Sequence, residues 1–592
     1  MGLADRFRTR WESAQFVTNV ALGFSRVIPG ARWNMARLLE ERARKDGSST
    51  AILFEDQRYT WAEVNREVDR AARAFRETGI SEGDVVVLLM DNRPEFLFAV
   101  TALNRLRAAG ALVNTHIAGA ALVHAIRIAK GVAILVGQEH REKIDASMGE
   151  LEEIAEDRVL VQGEGGQCDA GRFRAFDEIV ERQLPTPLEA VPEPRVEDHL
   201  GYIYTSGTTG LPKAAVIANK RVLIPGLVMA RGVLGLRKDD VVYVTTPLYH
   251  SVGMFIGWGS TLFSGSALAV RRRFSASRFW EDVKKFDVSV FVYIGELCRY
   301  LLNQPRREGE RGHRIRLAAG NGLRPDIWEE FQGRFGIPLI REYYGATEGN
   351  NMLINLAGRP GMVGRLMMGA RLLRCDPETG EPRRNAQGFC ESAREGEVGL
   401  YVAPNSKISP FDGYADKEAT RKKILSDVFK KGDSWFNSGD LMTLHDDKWV
   451  AFADRVGDTF RWKAENVSTT EVGEILNGAP GVLETNVYGV EVPGADGRAG
   501  MASVHVGEGF SIEEFGRFAV ENLASYQRPV FVRLQTEMEL TVTLKHQKVG
   551  YRRDGYDPSK VGDPLYLLEG DAYTKLDGEV FEQLKDGRRV IR

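Results

Sequence analysis

The residues best suited to chemistry lie in one short segment, which runs from Thr205 to Lys213 with the sequence TSGTTGLPK. Glycines let a chain fold tightly and turn successive N–H groups inward, which makes a nest for anions. The hydroxyls and the lysine add donors, so the segment suits the phosphates of a nucleotide. The segment does not match the Walker pattern, and the alternative interpretation is a polar hairpin turn. The candidate phosphate ligands are Thr205, Ser206, Gly207, Thr208, Thr209, Gly210 and Lys213.

Four further segments combine polar, acidic, basic or aromatic residues. Tyr344–Glu348 reads YGATE, and Asn437–Asp440 reads NSGD, followed by an Asp454-Arg455 pair. His250 follows Pro-Leu-Tyr at the predicted end of a strand and precedes a glycine-rich run. A histidine there either acts at a site or is a hydrogen-bonded core residue. Each of these segments needs a framework of strands and helices to bring it to a common site.

The pattern of apolar residues predicts that framework. Residues 35–45 and 61–78 read as helices, and Val85–Met90 is a continuous apolar run that is typical of a buried parallel strand. A helix over 96–109 follows, and helix and strand keep alternating through strands at residues 110–113, 133–136, 159–161, 241–245, 267–270 and 288–293. Such alternation predicts an α/β fold with largely parallel sheets.

After about residue 457 the segments become shorter, more charged and punctuated by glycine, which indicates a small separate α+β domain. We therefore predict an N-terminal domain over residues 1–456, built of several subdomains with parallel-rich sheets, and a C-terminal domain over 457–592. The charge balance, 79 Lys+Arg against 82 Asp+Glu, gives no support to a nucleic-acid binder. The four cysteines form no disulfide framework, which fits a cytoplasmic protein.

Two segments raise the question of membrane contact. Residues 3–24 show apolar residues at helical spacing, which predicts either packing onto the protein body or an interfacial anchor. Val241–Val270 contains no charged residue, yet Pro247, His250 and four glycines interrupt it. A buried strand, loop and short helix therefore fit this stretch better than a transmembrane span. The sequence is compatible with peripheral contact with the inner face of a membrane. It is also compatible with formation of a homodimer.

The motifs together resemble the signature of the adenylate-forming superfamily, which includes acyl-CoA synthetases, luciferases and adenylation domains. YTSGTTGLPK is followed in order by YGATE, NSGD and Asp454-Arg455. The segments YIGELCRYLL, GNGLRPDIW, YYGATEGN and GDTFRWKAENVSTTEV resemble the fatty acid transport protein group, the long- and very-long-chain fatty acyl-CoA synthetases. The resemblance runs from about residue 35 to the end, and the whole set in order is highly specific.

The resemblance implies binding of ATP, Mg²⁺ and coenzyme A, with a role for each motif. Tyr344 would lie against adenine or else belong to the core, and Asp440 with Arg455 would bind ribose or else form a surface ion pair. Glu348 would hold Mg²⁺, with a helix-capping carboxylate as the alternative. The remaining members of the implied nucleotide site are Gly320, Asn321, Gly322, Tyr343, Gly345 and Thr347.

The resemblance also implies the parts that act on the acyl group and on coenzyme A. Lys545 is similar to the mobile catalytic lysine of the family, although Lys548 competes for that role. His250 and its neighbour Tyr249 would gate the acyl site. Lys463 would line the coenzyme A tunnel, where Ala464 replaces the usual glycine, and Gly457 would be the hinge of a mobile C-terminal domain.

Three hypotheses for function follow. The first is ATP-dependent activation of a long- or very-long-chain fatty acid to acyl-AMP and then to acyl-CoA, with coupling to fatty acid uptake as an extension. The second is a transport protein that traps fatty acid without catalysis. The third is a ligase that passes the acyl group to a carrier protein instead of coenzyme A.

Overall fold

The computed structural model describes residues 20, 28, 30–164, 168–188, 193–205, 211–367, 369–406, 409–463, 465–493, 495, 497–536, 548–589 and 591. Contacts between residues divide the chain into two units. The first unit contains Met1–Pro360 and Pro410–Lys422, and the second contains Gly361–Ser409 and Lys423–Arg592. This division by contacts differs from the predicted boundary after residue 456, and that boundary stays a prediction. The N-terminal segment with helical spacing lies largely outside the described residues.

The first unit alternates helices and strands along the chain. Its helices are α1 (Met35–Asp46), α2 (Trp61–Glu77), α3 (Pro94–Arg105), α4 (Gly119–Ile128), α5 (Arg141–Ser147), α6 (Phe176–Glu181), α7 (Asn219–Val228), α8 (Ser260–Ser264), α9 (Phe279–Lys285), α10 (Gly295–Leu302), α11 (Pro325–Phe335) and α12 (Lys417–Lys422). Its strands are β1 (Thr50–Phe54), β2 (Gln57–Thr60), β3 (Val85–Leu89), β4 (Ala109–Leu112), β5 (Ala133–Gly137), β6 (Val159–Gln162), β7 (Arg174–Ala175), β8 (His199–Thr205), β9 (Lys213–Ala218), β10 (Val241–Val244), β11 (Ala267–Val270), β12 (Val290–Ile294), β13 (Leu317–Asn321), β14 (Ile340–Gly345) and β15 (Met352–Asn355).

These strands form two large sheets. One has the order β15-β14-β13-β12-β10-β11-β1-β2, and the other has the order β7-β6-β5-β3-β4-β8-β9. The inner pairs are parallel, and antiparallel pairs occur only at the edges, where β14 pairs with β15, β1 with β2, and β8 with β9. The predicted parallel-rich α/β fold is confirmed, and the carboxyl ends of the parallel strands carry the loops where ligands bind in such sheets.

Helix α2 shows how the local sequence sets the packing. Thr60 and Glu63 form a capping box, in which the Thr60 hydroxyl accepts from the Glu63 N–H at 3.3 Å and Glu63 accepts from the Thr60 N–H at 2.8 Å. Its apolar face is buried along the whole helix, at Val64, Val68, Ala71, Ala72 and Phe75. Burying a side chain such as Phe75 contributes roughly 1.5–3 kcal/mol. Capping therefore fixes where the helix begins, and burial fixes which face turns inward.

The uncharged stretch from Val241 to Val270 folds as predicted, into buried pieces. Strand β10 opens it, a π-helix follows over Val252–Gly259, and α8 and β11 complete it. None of the helices in the described part of the chain combines the length and apolarity needed to cross a bilayer. The largest error in a predicted boundary is at α3, which ends at Arg105 instead of 109, because Arg107 takes a positive φ of 58° and Ala109 begins β4.

The second unit contains shorter, mostly antiparallel sheets. Strands β16–β21 make a six-stranded sheet, β22 and β23 pair alone, and β24–β28 make a five-stranded sheet that mixes parallel and antiparallel pairs. Its helices are α13 (Thr469–Leu476), α14 (Ile512–Asn522), α15 (Lys548–Asp554) and α16 (Gly578–Lys585). Its strands are β16 (Gly364–Arg365), β17 (Arg371–Leu373), β18 (Val398–Pro404), β19 (Ile424–Ser426), β20 (Ser434–Leu444), β21 (Trp449–Arg455), β22 (Phe460–Trp462), β23 (Glu465–Val467), β24 (Val482–Glu491), β25 (Arg498–Val506), β26 (Phe531–Gln535), β27 (Leu565–Glu569) and β28 (Ala572–Lys575).

Candidate active site

The predicted phosphate loop joins two antiparallel strands. Strand β8 ends at Thr205, β9 begins at Lys213, and these two residues lie opposite each other in register. This strand–loop–strand arrangement differs from the strand–loop–helix of the Walker motif, which agrees with the mismatch in sequence. The residues between them that were predicted as ligands lie outside the described residues: Ser206, Gly207, Thr208, Thr209 and Gly210.

The YGATE motif follows the end of β14. Tyr343 is 4% exposed, while Tyr344 is half-buried and Gly345 is exposed at the end of the strand. Thr347 is held at two atoms: its carbonyl accepts from Arg221 at 2.7 Å, and its hydroxyl lies 3.0 Å from the hydroxyl of Ser251. The motif is thus fixed against α7 and against the segment that carries the predicted gate. Sequence reasoning identified neither Arg221 nor Ser251.

Glu348 has a partner that the sequence did not indicate. The hydroxyl of Tyr414 donates to Oε1 of Glu348 at 2.8 Å. Backbone hydrogen bonds fix Tyr414 beside β9, because Val216 donates to Gly413 and Ala415 donates to Ala214. Burial, and then the negative charge of Glu348, raise the pKa of the Tyr414 hydroxyl, so Tyr414 remains a donor. This geometry shows no helix cap at Glu348, since the partner of its carboxylate is a phenol.

Three predicted members of the nucleotide site lie at the end of β13, namely Gly320, Asn321 and Gly322. Gly320 has a local structural reason to lack a Cβ, because a Cβ there would lie 2.3 Å from Cδ2 of Tyr293. Gly322 has a φ of +82°, which favours glycine, and Asn321 between them is half-buried. Packing within the chain therefore accounts for the absence of a Cβ at Gly320.

The predicted gate residues, Tyr249 and His250, lie between β10 and the π-helix that begins at Val252. His250 is half-buried, and its Nδ1 accepts from the N–H of Val252 at 3.3 Å. Tyr249 is 6% exposed and donates to Oδ1 of Asn114 at 3.2 Å. A π-helix is often found at functional sites, but a hydrogen-bonded core histidine also agrees with this geometry. The role of His250 stays a prediction.

Asn92, just after β3, holds the backbone before the gate. Its Oδ1 accepts from the N–H of Leu248 at 2.7 Å, and its Nδ2 donates to the carbonyls of Thr246 and Arg271, each at 3.1 Å. The side chain is 5% exposed. A single amide thus ties the end of β3 to the ends of β10 and β11. Its partners lie more than 150 residues away, so no local pattern could have indicated it.

The predicted ribose ligands lie in the second unit. Asp440 in β20 and Arg455 in β21 are paired in register, and Nε of Arg455 lies 3.5 Å from Oδ1 of Asp440. Asp440 is largely buried, and the Arg455 side chain is 46% exposed. The predicted ion pair is therefore present, and it is compatible with ribose binding because a carboxylate has further acceptor sites.

The predicted hinge residue, Gly457, lies two residues after Arg455 in the sequence. Gly457 has a φ of +82° in the turn between Arg455 and Asp458, which a β-branched or bulky residue would strain. Buried Asp454 braces the turn, because it accepts from the Thr459 hydroxyl at 3.0 Å and from the N–H of Thr469 at 2.8 Å. Sequence reasoning assigned no such role to Asp454.

Two of the lysines predicted to act in the reaction, Lys548 and Lys463, lie within the described residues. Lys548 donates to the Thr469 hydroxyl at 2.6 Å and lies 3.4 Å from a carboxylate oxygen of Asp458, beside the predicted hinge. Lys463 occupies the turn between β22 and β23 with a φ of 52°. Lys545 and Ala464 lie outside the described residues.

Among the described residues, one group of metal-ligand side chains brings its atoms within 4.8 Å: Asp91, Glu139 and His140. Arg273 lies 3.2 Å from Asp91, and Arg93 lies 3.5 Å from Glu139. Burial alone raises the pKa of Asp91, but hydrogen bonding and charge from His140 and the charge of Arg273 lower it to about 2. Two guanidinium groups already neutralise these carboxylates, so we assign the group as an ion-pair network.

Residues 39–398 match the protein family described as AMP-binding enzyme. Long-chain fatty acid transport protein 6 of Mus musculus is 40% identical over 561 residues, covering 91% of this chain and 88% of that protein. Medium/long-chain-fatty-acid–CoA ligase FadD6 of Mycobacterium tuberculosis is 36% identical over 565 residues, covering 95% of this chain and 92% of that protein.

Solved structures share the fold. The anthranilate CoA ligase AuaEII in complex with anthranoyl-AMP has a TM-score of 0.76 at 23% identity and covers 88% of this chain and 97% of its own. ATP-bound MatB from Rhodopseudomonas palustris has a TM-score of 0.73 at 23% identity, covering 88% and 99%. The similarity spans most of each chain, with a large N-terminal and a small C-terminal domain in this fold.

Proposed function

The chain belongs to the AMP-binding enzyme family, and from this premise we propose that it is an ATP-dependent long- or very-long-chain fatty acid–CoA ligase. The observation that carries the proposal is similarity over nearly the whole chain to fatty acid transport proteins and to a fatty acid–CoA ligase, at 36–40% identity. The similarity covers 91–95% of this chain, so the reaction is proposed for the chain as a whole.

The proposed reaction has two steps. A carboxylate oxygen of the fatty acid attacks the α-phosphorus of ATP, the bond to the bridging oxygen breaks, and pyrophosphate leaves. The sulfur of coenzyme A then attacks the acyl carbonyl, the bond to the AMP oxygen breaks, and acyl-CoA forms. An anionic nucleophile approaches a polyanion in the first step, so the site must supply cations and N–H donors.

We assign the phosphate and base contacts to the first unit. The loop over residues 205–213 would hold the β- and γ-phosphates, with Lys213 as its cation. Thr347 would donate to the α-phosphate; the contacts of its carbonyl with Arg221 and of its hydroxyl with Ser251 support a fixed position. Tyr344 and the loop of Gly320, Asn321 and Gly322 would enclose adenine, and Tyr343 with Gly345 would flank it.

Glu348 fits a role as the Mg²⁺ ligand. Its Oε1 accepts from the neutral phenol of Tyr414, and a hard carboxylate oxygen is the donor type that Mg²⁺ prefers. Mg²⁺ usually keeps several waters and binds through one or two carboxylates plus substrate phosphates, so a single glutamate suffices here. When bound, the ion would neutralise charge on the phosphates.

The second unit would supply the remaining groups. Asp440 and Arg455 would bind the ribose, and Lys545 would contact both the substrate carboxylate and the α-phosphate during adenylation. Gly457 would let the C-terminal domain turn between the two steps, after which Lys463 would contact coenzyme A. The positive φ of Gly457 supports a hinge role, because glycine tolerates wide changes in φ and ψ.

Two alternatives remain as outcomes of experiment. A protein that traps fatty acid without catalysis would support uptake even as the Lys545→Ala variant. A ligase that serves a carrier protein would form thioester on the carrier and none on coenzyme A. We favour coenzyme A because the relative from Mycobacterium tuberculosis is named as a CoA ligase. Peripheral attachment to the cytoplasmic face of a membrane is proposed only in connection with uptake.

The proposal is tested by pyrophosphate release across a series of fatty acids of increasing chain length, with and without coenzyme A. We expect release that depends on fatty acid, reaches a maximum at long chains and speeds up with coenzyme A. Lys545→Ala should lower it about 100-fold, as for loss of a group that stabilises the transition state. No stimulation by any fatty acid would contradict the proposed function.

A further inference from the structure

A buried carboxylate lies beneath the loop that follows β13. Glu342 in β14 is 3% exposed, and its two oxygens accept three hydrogen bonds. Oε1 accepts from the N–H of Leu323 at 2.9 Å and from the hydroxyl of Tyr293 at 2.8 Å. Oε2 accepts from the N–H of Gly322 at 3.0 Å. Two consecutive backbone N–H groups of one loop therefore converge on the same side chain.

The loop depends on this acceptor because of how tightly it turns. Gly322 has a φ of +82°, and a Cβ on Gly295 would lie only 1.7 Å from the Gly322 carbonyl oxygen. The turn is thus pressed against the start of α10. The N–H of Leu323 is buried and the N–H of Gly322 is partly buried, so losing the acceptor of either N–H destabilises this shape of the loop.

The same side chain connects the loop to a neighbouring strand. Gly320, near the end of β13, lies opposite Glu342 in the parallel register of β13 and β14. Two residues after Glu342, β14 carries Tyr344. We propose that Glu342 is a positioning residue for the adenine site, since it fixes the end of β13 and the turn at Gly322 relative to the strand that carries Tyr344. The inference rests on the proposed function, because it needs ATP as the ligand.

The chemistry of this contact requires two oxygens. In a Glu342→Gln variant the amide NH₂ replaces one oxygen, so it faces either the N–H of Gly322 or the N–H of Leu323. In either orientation of the amide, one of these two N–H groups then lacks its acceptor: the buried N–H of Leu323 or the partly buried N–H of Gly322. Burial raises the pKa of Glu342 to about 8, although its three hydrogen bonds lower it. Both the acid and the carboxylate keep two acceptor oxygens, which glutamine cannot do.

The test is the affinity for ATP in the full-length protein without fatty acid, measured by titration calorimetry, beside the affinity for a long-chain fatty acid. We expect Glu342→Gln to weaken ATP binding about tenfold, as for one unsatisfied buried donor, and to leave fatty acid binding unchanged. The matched control is Asp282→Asn, because Asp282 is also a buried carboxylate that accepts from a tyrosine of the same sheet, Tyr243, at 2.9 Å. The control should leave ATP affinity unchanged.

If the Glu342→Gln protein does not fold, the Tyr293→Phe variant provides a second test. It removes one donor to the same carboxylate and should weaken ATP binding about threefold with fatty acid binding unchanged. ATP affinity equal to wild type in a folded Glu342→Gln protein, or in Tyr293→Phe if that variant alone folds, would overturn the inference. An equal loss of affinity for ATP and fatty acid would also overturn it. Absence of ATP binding by the wild type would instead contradict the proposed function.

Discussion

The hydroxyl of Tyr414 donates a hydrogen bond of 2.8 Å to Oε1 of Glu348, across a separation of 66 residues in sequence. The bond joins the candidate Mg²⁺ ligand to the segment that runs beside β9, where Lys213 begins the strand. A carboxylate held this way loses rotational freedom before any ion arrives. Tyr414 therefore prepares Glu348 for its proposed task.

Replacing Tyr414 by Phe should raise the Mg²⁺ concentration needed for half-maximal activity about three- to tenfold, since one hydrogen bond to a charged group is lost. The Michaelis constant for fatty acid should not change. The measurement is pyrophosphate release over a Mg²⁺ series, with Tyr243→Phe as a control that loses a similar bond to Asp282. An unchanged Mg²⁺ requirement in Tyr414→Phe would show that the contact does not prepare the site.

Asn92→Ala should destabilise the protein by about 2–4 kcal/mol, because three buried backbone groups lose their partner. Denaturation by urea, followed by tryptophan fluorescence, measures the loss. Asn303→Ala is the control, because Asn303 is exposed at the end of α10 and its loss should have little effect. Equal stability of the two variants would contradict the role assigned to Asn92.

Glu342 predicts a dependence of stability on pH. Its pKa is raised from 4.5 to about 8 in the folded chain, so the folded state binds the proton more tightly than the unfolded state. The stability that this provides is complete below about pH 4.5 and is lost as the pH rises through about 8. Tyr293, Tyr343 and Cys298 lie nearby, but burial raises the pKa of each well above that range.

Denaturation midpoints measured between about pH 5 and 9 check this dependence. As the pH rises from about 5 to about 9, the wild type should lose more stability than Glu342→Gln does. The reason is that the glutamine amide does not titrate. Parallel curves for the two proteins would mean that Glu342 keeps an ordinary pKa in the folded chain.

The two lysine candidates can be told apart by substitution. Lys548→Ala removes an ammonium that contacts Thr469 and Asp458, so it should lower stability by at most about 1 kcal/mol and leave acyl-AMP formation largely intact. Lys545→Ala should slow acyl-AMP formation about 100-fold or more. Single-turnover measurements of acyl-AMP decide, and the reverse pattern would assign the catalytic role to Lys548.

Much of the framework could be predicted from sequence because burial leaves a local signature. Val85–Leu89 is apolar at every position, and all five residues are buried in the middle of a parallel sheet. The uncharged stretch over Val241–Val270 was correctly interpreted as buried strand and helix, since its proline and glycines are incompatible with a long apolar helix. These features depend on neighbours close in sequence.

The supporting contacts of the site could not be predicted in the same way. Tyr414 meets Glu348, and Asn92 meets Leu248, only because the sheets bring distant segments together. No pattern of residue spacing in the sequence predicts contacts between residues so far apart. The end of α3 was also missed, because Arg107 adopts a positive φ that its residue type does not favour. The hydrogen bonds from the Arg107 N–H to the Asn104 carbonyl and from the Ala108 N–H to the Leu103 carbonyl end the helix at this left-handed residue.

The most direct test of the central claim is the identity of the product formed from a long-chain fatty acid, ATP and Mg²⁺. Without coenzyme A, mass spectrometry should detect acyl-AMP together with an equal amount of pyrophosphate, and added coenzyme A should convert it to acyl-CoA with release of AMP. Formation of ADP and phosphate, or the absence of any acyl-AMP, would contradict the account.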